Sequence, residues 1–235
     1  MSQKPKAVVL LSGGMDSCVC AGIANRDYRL ALLHASYGQR TERREREAFD
    51  AIADFYGVAE RLVVRFDAFR QIGGSALTDA SIAVPESGKA LEKDAAIPVT
   101  YVPFRNAHFL SAAVSWAEVS GAKAIFIGAV AEDSSGYPDC RPEYYHAFQN
   151  VIREGTKAET RIEIVTPVIA MRKSEIIRRG MELGAPLERT WSCYQDEDEA
   201  CGVCDSCRLR LQAFREAGTN DPIPYRVAGG VRVAR

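Results

Sequence analysis

The chain reads as an α/β protein: a doubly wound, mostly parallel sheet with a small helical appendage at the C-terminal end. Three observations predict this. Short continuous apolar runs alternate with amphipathic segments of helical period, the pattern of strands covered by helices on both faces. The first run, "AVVLL", leads directly into a glycine loop, "SGGMDS". Four of the seven cysteines fall between Cys193 and Cys207, beyond the alternating region.

Taken in order, the valine-rich stretch Lys6 to Leu11 predicts a buried strand, and a helix should follow from Asp16 to Asn25. Leu30 to Ser36 predicts a second buried strand, and Thr41 to Tyr56 a charged amphipathic helix with Phe49, Ile52 and Phe55 turned inward. Arg61 to Val64 predicts a third strand. From Asp67 to Val99 several glycines, two prolines and no clear period predict a substrate-covering loop. Pattern returns with a helix over Asn106 to Val119, a strand at 124–129, a helix over Pro142 to Thr156, a strand at 162–167 and a helix over Arg172 to Leu183. From Trp191 the composition turns to cysteines and acids, with a short helix over Cys207 to Ala217. The expected division is an α/β domain at 1–190 and an appendage at 191–235. In a parallel sheet of this kind, ligands bind at the carboxyl ends of the strands, which is where the glycine loop falls.

Thirty basic against thirty-one acidic residues give a formal net charge of -1 in 235 residues, which favours small substrates over nucleic acid. No apolar run approaches the roughly 20 residues that cross a bilayer, so no membrane partner is expected. The glycine loop comes too early for a signal peptide, and a cytoplasmic protein with reduced cysteines is expected.

A strand, then Gly13 and Gly14, then a helix start lets backbone N–H groups and the positive helix end converge on an anion. A bare double glycine also suits an ordinary turn with Asp16 or Ser17 as helix cap. A Walker loop would carry a lysine, and its absence disfavours γ-phosphoryl transfer of the kinase or GTPase type. Cys193, Cys201, Cys204 and Cys207 follow C-x7-C-x2-C-x2-C, and four thiolates make a closed, structural zinc site. An iron–sulfur cluster is the rival reading, but neither ferredoxin spacing is reproduced.

Ser12-Gly13-Gly14-Met15-Asp16-Ser17 has the form S-G-G-x-D-S and resembles the loop of the PP-loop ATP pyrophosphatase superfamily, with its adenine nucleotide alpha hydrolase-like fold. Three further stretches, "TYVPFRN" at Thr100, "DSSGYPDCRPEY" at Asp133 and "TWSCYQDEDEACGVCDSCRLRL" at Thr190, are similar to the 7-cyano-7-deazaguanine synthase family of queuosine precursor synthesis, over about Lys6 to Pro224. The family often has an aromatic where Ser134 stands, and Asp and His where Ser36 and Thr41 stand.

The resemblance implies that ATP is cleaved between its α- and β-phosphates. 7-Carboxy-7-deazaguanine and free ammonia would become the nitrile through an acyl adenylate and an amide. It implies Mg²⁺ with ATP, one structural zinc and a homodimer. It implies an ATP-binding segment of Leu11, Ser12, Gly13, Gly14, Met15, Asp16, Ser17, Cys18, Val19, Cys20 and Ala21. Within that segment Asp16 would position Mg²⁺ and the serine hydroxyls would meet phosphate, while Met15, Cys18 and Cys20 read as packing inward.

Arg105 would meet a carboxylate or phosphate, with Asp16 and Ser17 as its catalytic companions. Tyr137 could stack on the heterocycle, Asp139 accept from its amidine edge and Arg141 bind an anion. Lys173, at a helix start, could supply the cation missing from the loop. Tyr37, Gly38 and Gln39 end the second strand, where adenine or ribose could sit. Cys140 has no identifiable histidine partner and reads as structural. His34 reads as a satisfied core residue, and His108 and His146 as residues of partly exposed helix faces. A tRNA-thiolating enzyme and a non-catalytic nucleotide-sensing zinc module are the alternative functions.

Overall fold

The computed structural model describes residues 4–86, 97–131 and 136–226. Five strands, β1 (Lys6–Leu10), β2 (Arg29–Ser36), β3 (Arg61–Arg65), β4 (Ala124–Ile127) and β5 (Glu163–Val165), form one sheet in the order β3-β2-β1-β4-β5. Every pairing is parallel, with Val8 of β1 opposite Ala31 of β2 on one side and Ile125 of β4 on the other. The chain winds outward through β2 and β3, then returns to β1 to begin β4. The point of reversal therefore lies between β1 and β4, the place where an open parallel sheet leaves a crevice at its carboxyl edge.

Among the described residues there are seven α-helices: α1 (Met15–Asn25), α2 (Glu42–Phe55), α3 (Ala68–Ile72), α4 (Arg105–Ser120), α5 (Pro142–Gly155), α6 (Lys173–Glu182) and α7 (Asp205–Ala217). The alternation along β1 separates two cores. Ala7 and Val9 face one cluster with Phe49 and Ile52 of α2, Ile176 and Ile177 of α6, and Phe214 of α7. Val8 and Leu10 face the other with Leu110, Ala113 and Ala117 of α4 and Ile152 of α5. A residue shift of one in any central strand would exchange these faces, so the register is firmly specified. No helix of the described residues is long and apolar enough to cross a membrane.

Several expectations need correction. Phe55 is 44% exposed at the last position of α2, beyond the inward stripe that ends with Ala53, and the Arg189 guanidinium covers its ring at 5.3 Å. The 67–99 stretch is not wholly irregular, because α3 forms at its start and anchors Phe69 in a small cluster with Tyr37 and Leu77. The expectations for its 87–96 part and for Ser134 lie outside the described residues. β4 stops at Ile127 because the next residue, Gly128, passes directly over the first turn of α1. The C-terminal region is also less separate than its composition suggests: Ala213 and Phe214 are part of the same core as β1 and α1.

At Gly128 an added Cβ would lie 2.8 Å from the backbone C and O of Asp16 and N of Ser17, atoms with no freedom to retreat. Gly128→Ala should destabilise the protein by roughly 1–3 kcal/mol through overpacking. A urea titration followed by circular dichroism should show an earlier midpoint, and an unchanged midpoint would mean that β4 and α1 are not in this contact.

Candidate functional site

The crevice between β1 and β4 opens into a cavity of 310 Å³, within the range of small-molecule sites. Its floor is the glycine loop. Helix α1 starts after Gly14 with no side-chain cap, so the N–H groups of its first turn have no partner supplied by the sequence itself. Ser12, Gly14, Met15, Asp16 and Ser17 line the cavity, as does Leu11. The loop is held by its own hydroxyls: Ser17 Oγ donates to Gly14 O at 2.9 Å, Ser12 Oγ lies 3.1 Å from Ser17 Oγ, and Gly14 N donates to Ser12 Oγ at 3.2 Å. These bonds aim the helix end into the cavity.

Gly13, Cys18, Val19, Cys20 and Ala21 do not line the cavity. Gly13 has φ +92°, and a Cβ there would strike Glu45 O of α2 at 2.5 Å, so this glycine admits a neighbouring helix rather than a ligand. The other four are buried on the core side of α1, and burial pushes the Cys18 thiol up to about 12 and Cys20 further still. Neither is a nucleophile.

Four cationic residues line the cavity, Arg40, Arg105, Lys173 and Arg210, and two of them stand at helix starts. Lys173, the first residue of α6, places Nζ 2.8 Å from Asp16 Oδ2, while Asp16 Oδ1 is buried without a hydrogen-bond partner. Arg105, the first residue of α4, donates from Nη1 to Tyr37 Oη at 2.9 Å and lies over the Tyr37 and Phe109 rings at 5.2 and 5.7 Å. Its Nε has no partner. The preceding Phe104 takes a left-handed conformation, φ 59° and ψ 22°, which is strained for a bulky side chain and turns the chain sharply into α4. Arg105 is thus fixed by its stem and left with donor capacity facing the cavity.

The structure separates the other proposed substrate contacts. Tyr137 lines the cavity, its hydroxyl 2.8 Å from Thr100 Oγ1 and its ring 5.4 Å from that of Tyr101. Asp139 does not. It is 3% exposed, and its Oδ2 accepts the Asn106 N–H at 3.0 Å in the first turn of α4, while its carbonyl accepts from Asn106 and Tyr145. Asp139 caps a helix that has no local cap, which fixes Arg105 instead of touching a ligand. Arg141 is exposed at the start of α5, away from the cavity. Cys140 reaches the wall, but burial pushes its thiol up to about 11, keeping it protonated.

Tyr37 and Gln39 line the cavity and Gly38 does not. His34 is buried with Nδ1 3.2 Å from Leu11 O, and burial lowers its pKa, so it stays a neutral strand residue. His108 and His146 are exposed.

The remaining wall comes from the cysteine-rich segment. Trp191, Ser192, Tyr194, Ser206, Leu209 and Arg210 all face the cavity. They lie within the stretch at 190–211, but only its cysteines have a spacing that names a chemistry, so the sequence assigns these six no role. The four cysteine sulfurs lie within 4.8 Å of one another, compatible with the ~3.8 Å separation that ~2.3 Å Zn–S bonds impose in a tetrahedron. Backbone N–H groups of Gln195, Asp196 and Cys201 point at Cys193 Sγ at 3.3–3.4 Å, and Cys204 N at Cys201 Sγ at 3.3 Å. Such bonds favour thiolates, and the Cys201, Cys204 and Cys207 thiols together lower the Cys193 pKa. The donor set fits a soft divalent ion such as zinc.

The segment is tied to the glycine loop by Trp191 N donating to Gly13 O at 2.9 Å, and Cys193 O lies 3.2 Å from Thr41 Oγ1 at the start of α2, whose single proton goes to the nearer Glu45 Oε1 at 2.9 Å. Arg210 and Asp221, each with only 2% of the side chain exposed, form a two-point ion pair at 2.7 and 3.0 Å. Arg210 Nη1 also donates to Thr190 Oγ1 at 2.7 Å and Ser192 Oγ at 3.2 Å.

The family model described as queuosine biosynthesis protein QueC matches residues 6–218. The 7-cyano-7-deazaguanine synthase of Koribacter versatilis is 62% identical over 229 residues, covering 95% of this chain and 95% of its own. That of Acidobacterium capsulatum is 62% identical over 227 residues, covering 95% and 97%. Among solved structures, the U34-tRNA thiolase NcsA from Methanococcus maripaludis with its [4Fe-4S] cluster is similar at TM-score 0.46 and 15% identity, covering 90% of this chain and 64% of that one.

Removing one partner of the buried pair strands the other, at a cost of about 3–5 kcal/mol. Asp221→Ala should therefore lower the melting temperature by roughly 6–20 °C for a chain of this size. Arg43→Ala, which breaks exposed pairs to Glu197 and Asp198, should scarcely move it, and calorimetry of the two variants makes the comparison.

Proposed function

The chain belongs to the queuosine biosynthesis protein QueC family, and on that premise we propose how its cavity performs 7-cyano-7-deazaguanine synthesis. 7-Carboxy-7-deazaguanine, ammonia and ATP give the nitrile through carboxylate adenylation, an amide and its dehydration. One observation carries the mechanism: an uncapped helix end, an Asp16–Lys173 pair with a spare buried oxygen, and a fixed Arg105 face a single cavity.

The first-turn N–H groups of α1, with the Ser12 and Ser17 hydroxyls, bind the departing pyrophosphate, and Lys173 adds positive charge beside it. Arg105 holds the substrate carboxylate. A carboxylate oxygen attacks the α-phosphorus, the bond to pyrophosphate breaks, and an acyl adenylate results. Ammonia then forms the C–N bond as AMP leaves, giving the amide. In a second round the amide oxygen attacks the α-phosphorus of another ATP with release of pyrophosphate, and loss of AMP and of both amide N–H protons gives the nitrile. Asp16 Oδ1, buried and unpartnered, suits Mg²⁺, which when bound neutralises charge on phosphate oxygens.

Tyr137 and Tyr194 offer faces for the flat heterocycle. Leu11, Gly14 and Met15 contact nucleotide, whereas Asp139 and Arg141 act at a distance from it. Residues 191–235 form the metal-binding part, whose four cysteines hold one structural zinc, beside the ATP-binding part at 1–190. A cytoplasmic homodimer completes the proposal. The thiolase and sensor readings lose ground to a family match spanning both the glycine loop and the cysteines.

Enzyme incubated with Mg²⁺, ATP, ammonium and 7-carboxy-7-deazaguanine should yield the nitrile by mass spectrometry, with AMP and pyrophosphate. Absence of nitrile from folded, metal-loaded protein would falsify the reading. Elemental analysis should give one zinc per chain, and Cys204→Ser should lower both the zinc content and ATP affinity, because Trp191 and Tyr194 lose their support. Iron with sulfide in place of zinc would overturn the metal assignment.

A further inference from the structure

Glu45 lines the cavity from the first turn of α2, and nothing in the mechanism above uses it. Its carboxylate is held by neutral donors on both oxygens. Gln39 Nε2 donates to Oε2 at 3.0 Å and Thr41 Oγ1 to Oε1 at 2.9 Å. The orientation of the Gln39 amide is fixed, because its Oε1 accepts the Tyr37 N–H at 2.9 Å and its NH₂ must then face Glu45. Gln39 and Thr41 are 3% and 1% exposed, so this cradle is built into the fold. None of the ion pairs among the described residues includes Glu45, whereas Asp16, the other carboxylate lining the cavity, is paired with Lys173.

We propose that Glu45 is the ammonium-binding and proton-accepting residue of this cavity. The inference rests on the synthase reading, since only that reaction needs nitrogen in its unprotonated form. Ammonium prevails near neutral pH and has no lone pair. It donates an N–H to a free lone pair of the Glu45 carboxylate and transfers that proton to it. The resulting ammonia attacks the acyl carbon, the acyl C–O bond breaks with its electron pair leaving on AMP, and the new amide nitrogen sheds a second proton to solvent.

The surroundings suit a proton acceptor. Burial raises the Glu45 carboxyl to about 7, with Glu42 adding in the same direction. The Gln39 and Thr41 hydrogen bonds and the Arg105 charge restrain the rise. An acid poised near neutrality takes and returns a proton readily.

The test compares ammonium with hydroxylamine, which is largely unprotonated near neutral pH and needs no base to expose its nitrogen. In Glu45→Gln, kcat/KM for ammonium should fall about 100-fold or more, while kcat/KM for hydroxylamine, read as hydroxamate, stays within about threefold. Equal losses with both nucleophiles, or a change confined to the KM for ATP, would overturn the proposal. Wild-type enzyme that forms neither nitrile nor hydroxamate would sink the synthase reading instead. Should Glu45→Gln fail to fold, Glu45→Ala replaces it: added formate should restore ammonium use, and failure to do so overturns the assignment.

Discussion

The structure depends on the helix end that opens into the cavity. Helix α1 begins without a side-chain cap, so its first-turn N–H groups must find a partner outside the sequence. Most helices avoid this with Ser, Thr, Asp or Asn at the cap. Here Gly14 occupies that position, and Ser12 and Ser17 bond to each other and to the loop. The first turn is kept open, and two close approaches keep it in place. Gly128 presses against Asp16 and Ser17 from β4, and Glu45 presses against Gly13 from α2. An anion is the partner the geometry leaves room for.

The cysteine-rich segment extends the same logic to the opposite wall. Such a short segment has too little apolar surface to fix Trp191, Ser192 and Tyr194 by packing alone. It substitutes cross-links: the four thiols at one end and the buried Arg210–Asp221 pair at the other. Arg210 serves both fold and cavity, since the same guanidinium that pairs with Asp221 holds Ser192 at the cavity wall. Stability of the segment and shape of the site are therefore coupled. The exposed Arg43 pairs add little to either.

Much of this was legible because the signals were local. Valine-rich runs marked β1 and β2, helical period marked α2 and α6, and cysteine spacing marked the sulfur cluster. What escaped was non-local. Gly128 carries no pattern that announces a neighbouring backbone at 2.8 Å. Asp139 reads as a ligand contact because a carboxylate beside tyrosine and arginine suits a heterocycle, yet α4 has Phe104 at its cap position and needs a distant cap. Phe55 stands three residues after Ile52, yet Tyr56, one position later, takes the half-buried place against the core. Tyr194 and Glu45 became visible only when separate segments met around one cavity.

The cavity also separates its charges in a way that fits a two-stage activation. Lys173 and the α1 terminus stand together at the glycine loop, the proposed pyrophosphate site, while Arg105 is sequestered among Tyr37, Phe109 and Tyr137. Burial raises the Tyr37 hydroxyl to about 12 and Tyr194 well above its ordinary value, so these rings stay neutral and do not cancel the guanidinium. A low-polarity rim strengthens each remaining charge. An adenylate formed against such a rim is shielded from water, which would return it to the acid before a nitrogen nucleophile arrived. On the proposed reading, neutral aromatic walls around Arg105 protect the intermediate as well as bind its ring, and the same enclosure serves the amide in its second activation.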